Sequence, residues 1–157
     1  VDIQSIHALL RERFDRLVGE LRTPERGDAF IVVAAEGLAD VCRFLRDHDA
    51  TRFDFLRLIS TVDRGAQLSS VYHLYSYQHS HSLVLRVDVD RETPRVPSVS
   101  SVWASAEWHE REAFDMMGIV YENHPELTRI LLPDDWEGYP LRKDYQAPTE
   151  YHGLTNA

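Results

Sequence analysis

Cysteine is almost absent: Cys42 is the only one in 157 residues. A single thiol excludes an internal disulfide and any all-cysteine zinc or iron–sulfur site. Cys42 sits beside Val41 and Leu45 in a helical pattern, so its expected role is packing. Lysine is as scarce, with Lys143 standing against sixteen arginines. The net charge of −9 sets the chain against nonspecific nucleic-acid binding, which needs cations to neutralise phosphates. No window approaches the roughly 18 consecutive apolar residues of a membrane helix, so no direct membrane span is expected. Val1-Asp2-Ile3-Gln4 lacks the basic start and apolar core of a signal peptide, which points to the cytoplasm. Also missing are G-x-G-x-x-G, G-x-x-x-x-G-K-[ST] and G-x-S-x-G, the readable routes to dinucleotides, phosphoryl transfer and serine hydrolysis.

What the chain does have is periodicity. Ile3, Ile6, Leu9, Leu10, Phe14, Leu17, Val18 and Leu21 recur at helical spacing and predict an amphipathic helix over 2–21, closed by Thr23-Pro24 and Gly27. A short β-branched run from Asp28 to Ala34 predicts a strand, and 36–48 a helix. Phe53 to Asp63, Leu68 to Tyr77 and Ser82 to Asp90 read as strands joined by hairpins, and therefore antiparallel. Residues 91–97 read as a loop. Ser98 is positioned to cap a helix bearing Val99, Val102, Trp103 and Ala106, with Ser105 offering a second start. The economical fold is a single α+β domain, a two-layer sandwich of mostly antiparallel sheet with helices on one face. Its expected extent is 1–118, with 119–157 as an extended, proline-rich C-terminal segment that forms an arm.

Three groups of residues carry chemistry. Glu110, Glu112 and Asp115 are the residue types of an acid–base pair, but a helix face containing Arg111 reads first as a salt-bridge network, with Glu107, Arg111 and Asp115 in an i, i+4, i+8 ladder. His-Glu at 109–110 lacks the second histidine of a zincin, since Ala113 stands there. His73, His79 and His81 are a metal candidate, the last two alternating at strand period. A free-standing metal-dependent enzyme built on them is the distant alternative. Third is the run from Trp108 to Tyr145. It opens as a charged helix, stops at Gly118, a natural left-handed helix end, and continues through Pro125, Pro133, Gly138 and Pro140. Such a chain is too aromatic for a disordered tail and too rich in proline for helix or central strand. It is ordered only against a surface. Trp136, Tyr139 and the arginines are residues that dominate binding hot spots.

That run resembles the signature of the 30 kDa subunit family of respiratory complex I, the C subunit of NADH-quinone oxidoreductase. Glu110, Arg111, Glu112, Asp115, Met116, Met117 and His124 fill the signature positions in order. Leu131-Leu132-Pro133-Asp134-Asp135-Trp136-Glu137-Gly138 and Pro140-Leu141-Arg142-Lys143-Asp144-Tyr145 match the next block, and Thr128 departs from the basic residue usual before Arg129. The resemblance implies a structural subunit of the peripheral arm of a proton-translocating NADH-quinone oxidoreductase. The chain itself would bind no cofactor and have no activity alone, while the complex carries FMN, iron–sulfur clusters and quinone. It implies a place on the cytoplasmic face of the membrane, against the 49 kDa subunit and other hydrophilic-arm subunits of complex I. The expected interface residues are Glu110, Arg111, Glu112, Asp115, His124, Arg129, Asp134, Trp136, Tyr139, Arg142 and Lys143. The homologous subunit of a membrane-bound hydrogenase or of a dehydrogenase with another donor is the nearer alternative. Residues 146–157, with Pro148 and Gly153, are expected to be unordered outside a complex.

Overall fold

The computed structural model describes residues 2–155; Val1, Asn156 and Ala157, which enter the expectations about the two ends, lie outside them. The predicted first helix divides. Helix α1 (Ile3–Phe14) is capped by the Asp2 carboxylate, which accepts the Ser5 N–H at 2.7 Å. It ends at Asp15, whose φ of 44° lies in the left-handed region that stops a helix. After one 3-10 turn the chain becomes strand β1 (Val18–Arg22), a correction to the helix expected through residue 21. Val18 and Leu21 keep a helical spacing that a regular strand would split between its faces; a bulge between them turns both inward, with Val18 opposite Val33 and Leu21 opposite Ile31 in strand β2 (Phe30–Val33). His7 and Arg11 fix the junction by donating to the Gly19 and Val18 carbonyls.

Helix α2 (Leu38–Asp47) follows, then strands β3 (Phe55–Asp63), β4 (Gln67–Ser76) and β5 (His81–Asp90). These four stand within two residues of their predicted limits, allowing for the 3-10 turn Ala35–Gly37 that precedes α2. The sheet order is β1-β2-β5-β4-β3. Every neighbouring pair is antiparallel except β2 and β5, which run parallel with Ile31 opposite Leu85. Hairpin logic supplied the β3–β4 and β4–β5 pairs, but not β1–β2, whose first strand lies in the expected helix. The parallel one joins strands far apart in sequence and has no local signal.

Alternate strand residues meet the helices in one buried cluster. Leu56, Ile59, Leu68, Tyr72, Leu74, Leu83, Leu85 and Val87 pack with Ile6 and Leu10 of α1 and Leu38, Val41, Cys42 and Leu45 of α2. Each such side chain removed from water contributes about 1.5–3 kcal/mol. Burial pushes the Cys42 thiol far up from its ordinary range, so it is an inert packing group.

The segment 91–105 differs from its reading. Arg95–Pro97 is a strand, β6, parallel to β7 (Val120–Glu122). The helix expected from Ser98 begins only with α3 (Ala106–Met117). Val99, Val102 and Trp103 are buried all the same, held by turns, and the Trp103 indole N–H donates to the Phe53 carbonyl at 3.0 Å. Helix α3 stops where expected, at Gly118 with φ 73°. Ile119 and Tyr121 then enter the core, and the Tyr121 hydroxyl lies 2.9 Å from Ser70 Oγ on β4.

Gly118 is closed to larger residues on two counts. Its φ disfavours a Cβ, and a Cβ there would sit 2.6 Å from the Tyr139 ring. Gly118→Ala is therefore expected to destabilise the protein by about 2–4 kcal/mol, combining backbone strain with overpacking. A urea titration showing an unchanged midpoint would contradict this.

Candidate functional site

The charged residues of the C-terminal stretch converge on the end of α3. Asp115 faces inward and is fully buried. One carboxylate oxygen accepts the Arg129 guanidinium at 2.7 Å. The other accepts three successive backbone N–H groups, those of Ile130, Leu131 and Leu132, at 3.0, 2.7 and 2.9 Å. Burial works against the charged carboxylate, but Arg129 and the three amides outweigh it and hold Asp115 below the usual range. Arg129 also donates to the Asp115, Trp136 and Gly138 carbonyls. One ion pair thus folds residues 129–138 around the helix terminus.

Neighbouring residues extend the clamp. Arg111, expected in a ladder with Glu107 and Asp115, turns instead to the Thr128 and Arg129 carbonyls and to Thr128 Oγ1, all at 3.0–3.1 Å. Thr128, the departure from the family pattern, is therefore an acceptor for Arg111. Arg142 donates to the Met117 carbonyl at 2.8 Å, and its guanidinium lies 4.9 Å from the Tyr139 ring centre. Trp136 donates to the Tyr145 hydroxyl at 3.1 Å and meets the Tyr151 ring at a tilt of 48°, with ring centres 5.0 Å apart. Lys143 contributes its backbone N–H, which donates to Asp63 at 2.8 Å; Asp134 is exposed.

Sequence reasoning missed the second anchor. Asp63, at the end of β3, accepts from Arg91 at 2.6 Å, from Gly65 N–H and from Lys143 N–H. Arg91 also pairs with Asp144. These bonds hold the Asp63 carboxyl well below the usual carboxylate range, with the Arg91 contact the largest contributor. Asp63-Arg64-Gly65 read only as a turn, because nothing local marks a carboxylate whose partners lie 28 and 80 residues away. Farther on, β8 (Glu150–Tyr151) and β9 (Leu154–Thr155) form a small hairpin. Tyr151 and His152 both donate to Asp135 at 2.7 Å.

Glu110 makes a different, internal contact. Its side chain is fully buried and accepts the Ser98 hydroxyl at 2.6 Å and the Val99 N–H at 2.7 Å. Ser98 therefore serves Glu110 rather than a helix N-terminus, which explains why no helix starts there. Burial pushes the Glu110 carboxyl up to about 7, against the pull of those two donors. His124, with no side-chain exposure, lies 3.9 Å away. Its Nε2 donates to the Glu107 carbonyl and its Nδ1 accepts from Glu126 N–H. Glu112 is exposed, lining a groove of about 370 Å³ with Leu58, Met116 and Leu141. Glu110, Glu112 and Asp115 thus stand in three separate environments and form no shared acid–base site.

The histidine trio is likewise not brought together. His73 pairs with Leu58 on the outer side of the sheet, whereas His81 opposes Ser76 on the helix-covered side and stacks on Phe53 at 4.7 Å. His79 and His81 hold the loop after α2, donating to the Asp49 and Thr51 carbonyls at 2.8 Å. Among the described residues no group of three or more His, Cys, Asp or Glu side chains is arranged to hold a metal, and no helix is long and apolar enough to cross a membrane.

Fold and site together define an α+β domain whose charged residues anchor its own C-terminal segment to a helix end and a strand end. The chain belongs to the family described as respiratory-chain NADH dehydrogenase, 30 Kd subunit, whose profile matches residues 31–151. It is 41% identical over 150 residues to the NADH-quinone oxidoreductase C subunit of Chloroherpeton thalassium, covering 94% of this chain and 62% of that one. Against the same subunit of Roseiflexus sp. strain RS-1 it is 48% identical, covering 83% and 76%. With that of Saccharopolyspora erythraea the identity is 46% and the coverage 83% and 55%, so the chain spans little more than half the length of some relatives. A trypsin-resistant fragment of Nqo5 superposes with a TM-score of 0.63 at 28% identity, covering 78% of this chain and 98% of the fragment. A chain of an archaeal membrane-bound sulfane sulfur reductase shares the fold, with a TM-score of 0.73 at 23% identity over 91% of this chain and 85% of that one.

Two buried carboxylates give opposite pH dependences. Asp115, held low, stabilises the fold above the ordinary aspartate range, and that contribution is lost on acidification. Removing its charge by Asp115→Asn leaves Arg129 without a counter-ion and is expected to cost about 3–5 kcal/mol in a thermal or urea melt at pH 7. Glu110, raised from 4.5 to about 7, binds its proton more tightly folded than unfolded. Its contribution is full below about 4.5 and falls by roughly 3 kcal/mol as pH rises to 7. Stability measured against pH should lose that decline in Glu110→Gln; an identical slope in both proteins would show that Glu110 does not titrate there.

Proposed function

We propose that this chain is a non-cofactor-binding structural subunit of the peripheral arm of a proton-translocating NADH-quinone oxidoreductase. In this reading it supports electron transfer from NADH, through FMN and iron–sulfur clusters carried by other subunits, to quinone, and has no activity alone. It lies peripherally at the cytoplasmic face of the membrane, against the 49 kDa subunit. The observation that carries the reading is the identity of 41–48% with C subunits of NADH-quinone oxidoreductases, over most of this chain.

The geometry supports a scaffold role in a specific way. Arg111, Arg129 and Arg142 are engaged within the chain, so their work is to give the C-terminal segment one shape. The segment then offers a partner a pre-organised surface with little entropy left to lose. Leu131 and Leu141, 63% and 60% exposed, with Trp108 at 60% on α3, are the apolar groups it leaves outside. Glu112, Asp134 and Lys143 are exposed among them and supply charge at the rim. In this reading 1–118 is the rigid body and 119–157 the arm that it carries, tied into the body at its start by Ile119, Tyr121 and the β6–β7 pairing.

The full-length natural protein, used as bait in solubilised membranes, should recover iron–sulfur and NADH-oxidising subunits together. A nickel–iron hydrogenase large subunit in their place would assign the chain to the sister machine, and recovery of no partner would overturn the scaffold reading. Leu131→Asp, an exposed change, is expected to reduce that recovery by about tenfold or more, as for loss of an interface anchor, with the melting temperature unchanged. Arg129→Ala should instead lower the melting temperature, because four acceptors lose their donor.

A further inference from the structure

The buried cluster lies on one side of the five-stranded sheet, and the other side is apolar too. Phe55, Leu58 and Val62 of β3 are 38–40% exposed, and Tyr77 beyond β4 is 66% exposed. Pairing carries the band across the sheet: Phe55 opposes Tyr75, Leu58 opposes His73, His73 opposes Val84, and Val84 opposes Phe30. Tyr77 rests against both Phe55 and Tyr75, with ring centres 5.5 and 5.1 Å apart. A monomeric sheet that faces water alternates apolar with polar residues; this outer face breaks that rule in its middle. Three strands about 4.8 Å apart and nine or ten residues long, with the four residues of β2 beside them, present roughly 500 Å² of projected area, of the order that one partner contributes to a specific interface.

Charge narrows the occupant. Arginines lie over the rings: Arg57 at 4.6 Å from the Tyr75 centre and Arg86 at 4.5 Å from that of Phe30. The carboxylates of this face are already engaged. Glu20 pairs with Arg22, and Asp88 accepts from Arg86 and Ser69. At its margins Asp54 accepts from the Tyr77 N–H and Asp90 from the Glu92 N–H. Arg57, on the edge strand β3 between Phe55 and Leu58, has no carboxylate partner among the described residues, and Arg64 at the corner has only the Ser69 hydroxyl. An apolar band with an uncompensated guanidinium beside its most exposed residues, Phe55 and Leu58, suits a surface that brings its own acid. A second copy suits it poorly, because a two-fold contact would oppose Arg57 to itself between two chains of charge −9.

We propose that this outer sheet face, centred on Phe55, Leu58, Tyr75 and Arg57, docks a partner protein of the same assembly that presents an apolar patch with a carboxylate opposite Arg57. It is a second surface, which meets that of the C-terminal segment at the groove shared by Leu58 and Leu141, and it rests on the subunit reading given above. Docking there buries the aromatic band and gives Arg57 a counter-ion on a stacked, pre-oriented guanidinium.

The test uses the full-length protein in its native membrane, with photoreactive benzoylphenylalanine introduced separately at Leu58 and at Leu131. Cross-linked peptides are identified by mass spectrometry. Leu58 adducts should map to one other protein of the assembly, on a peptide carrying Asp or Glu beside apolar residues. Arg57→Glu should lower their yield about tenfold and leave Leu131 adducts and the melting temperature unchanged. Adducts to a second copy or to nucleic acid overturn the proposal, as does a yield that Arg57→Glu does not change. Capture from Leu131 with none from Leu58 overturns it while leaving the subunit reading intact, and capture from neither position overturns both.

Discussion

The ion pair between Asp115 and Arg129 is the contact on which the C-terminal third of the chain depends. Asp115 is fully buried and Arg129 nearly so, at 12% side-chain exposure. A pair of this kind holds only if every remaining lone pair and donor is satisfied. Here the second carboxylate oxygen takes three consecutive amides, and the guanidinium takes carbonyls beyond the Pro133 turn. Residues 123–149, which contain neither helix nor strand, thereby acquire a defined path without a hydrogen-bonded ladder of their own. Asp63 and Arg91 repeat the device at the end of β3. Two carboxylates placed on regular elements organise a segment that is itself irregular.

This economy explains the composition of the stretch from 108 to 145. Prolines limit the unfolded alternatives, arginines supply planar multidentate donors, and aromatic rings give the guanidiniums surfaces to lie on, as Tyr139 does for both Arg129 and Arg142. The density of binding-type residues is real, but most of their polar groups face inward. What the segment shows outward mixes charged groups such as Asp134, Glu137 and Lys143 with the apolar Leu131, Leu141 and, on α3, Trp108. The sheet exposes a second apolar area on its outer side.

Strands β2 to β5, helix α2 and the stop of α3 at Gly118 were legible, because each rests on local signals: β-branched runs, hairpin turns, helical spacing and a left-handed glycine. The errors share one cause. Leu17, Val18 and Leu21 follow a helical period, and only pairing with β2, through a bulge that turns Val18 and Leu21 to the same side, makes a strand of residues 18–22. Ser98 looked like a cap, yet its hydroxyl goes to Glu110, twelve residues away and buried. His79 and His81 alternate as metal ligands would, yet each donates to a carbonyl of the preceding loop. Most of the site residues stood out in the sequence, but their partners did not.

The amino-acid sequence by itself determined the α+β class, most of the strands and the family, because these follow from short-range periodicity and from a run of residues too long and too ordered to arise by accident. Only the tertiary structure decided where the charges go. A carboxylate or guanidinium on the helix surface and one in the interior are spelled alike, and burial separates them. Asp115 faces Arg129 and three amides, Glu110 lies in the core at its second turn, and Glu112 stands in water. The difference is the desolvation that each position imposes, and that is a property of the folded chain alone.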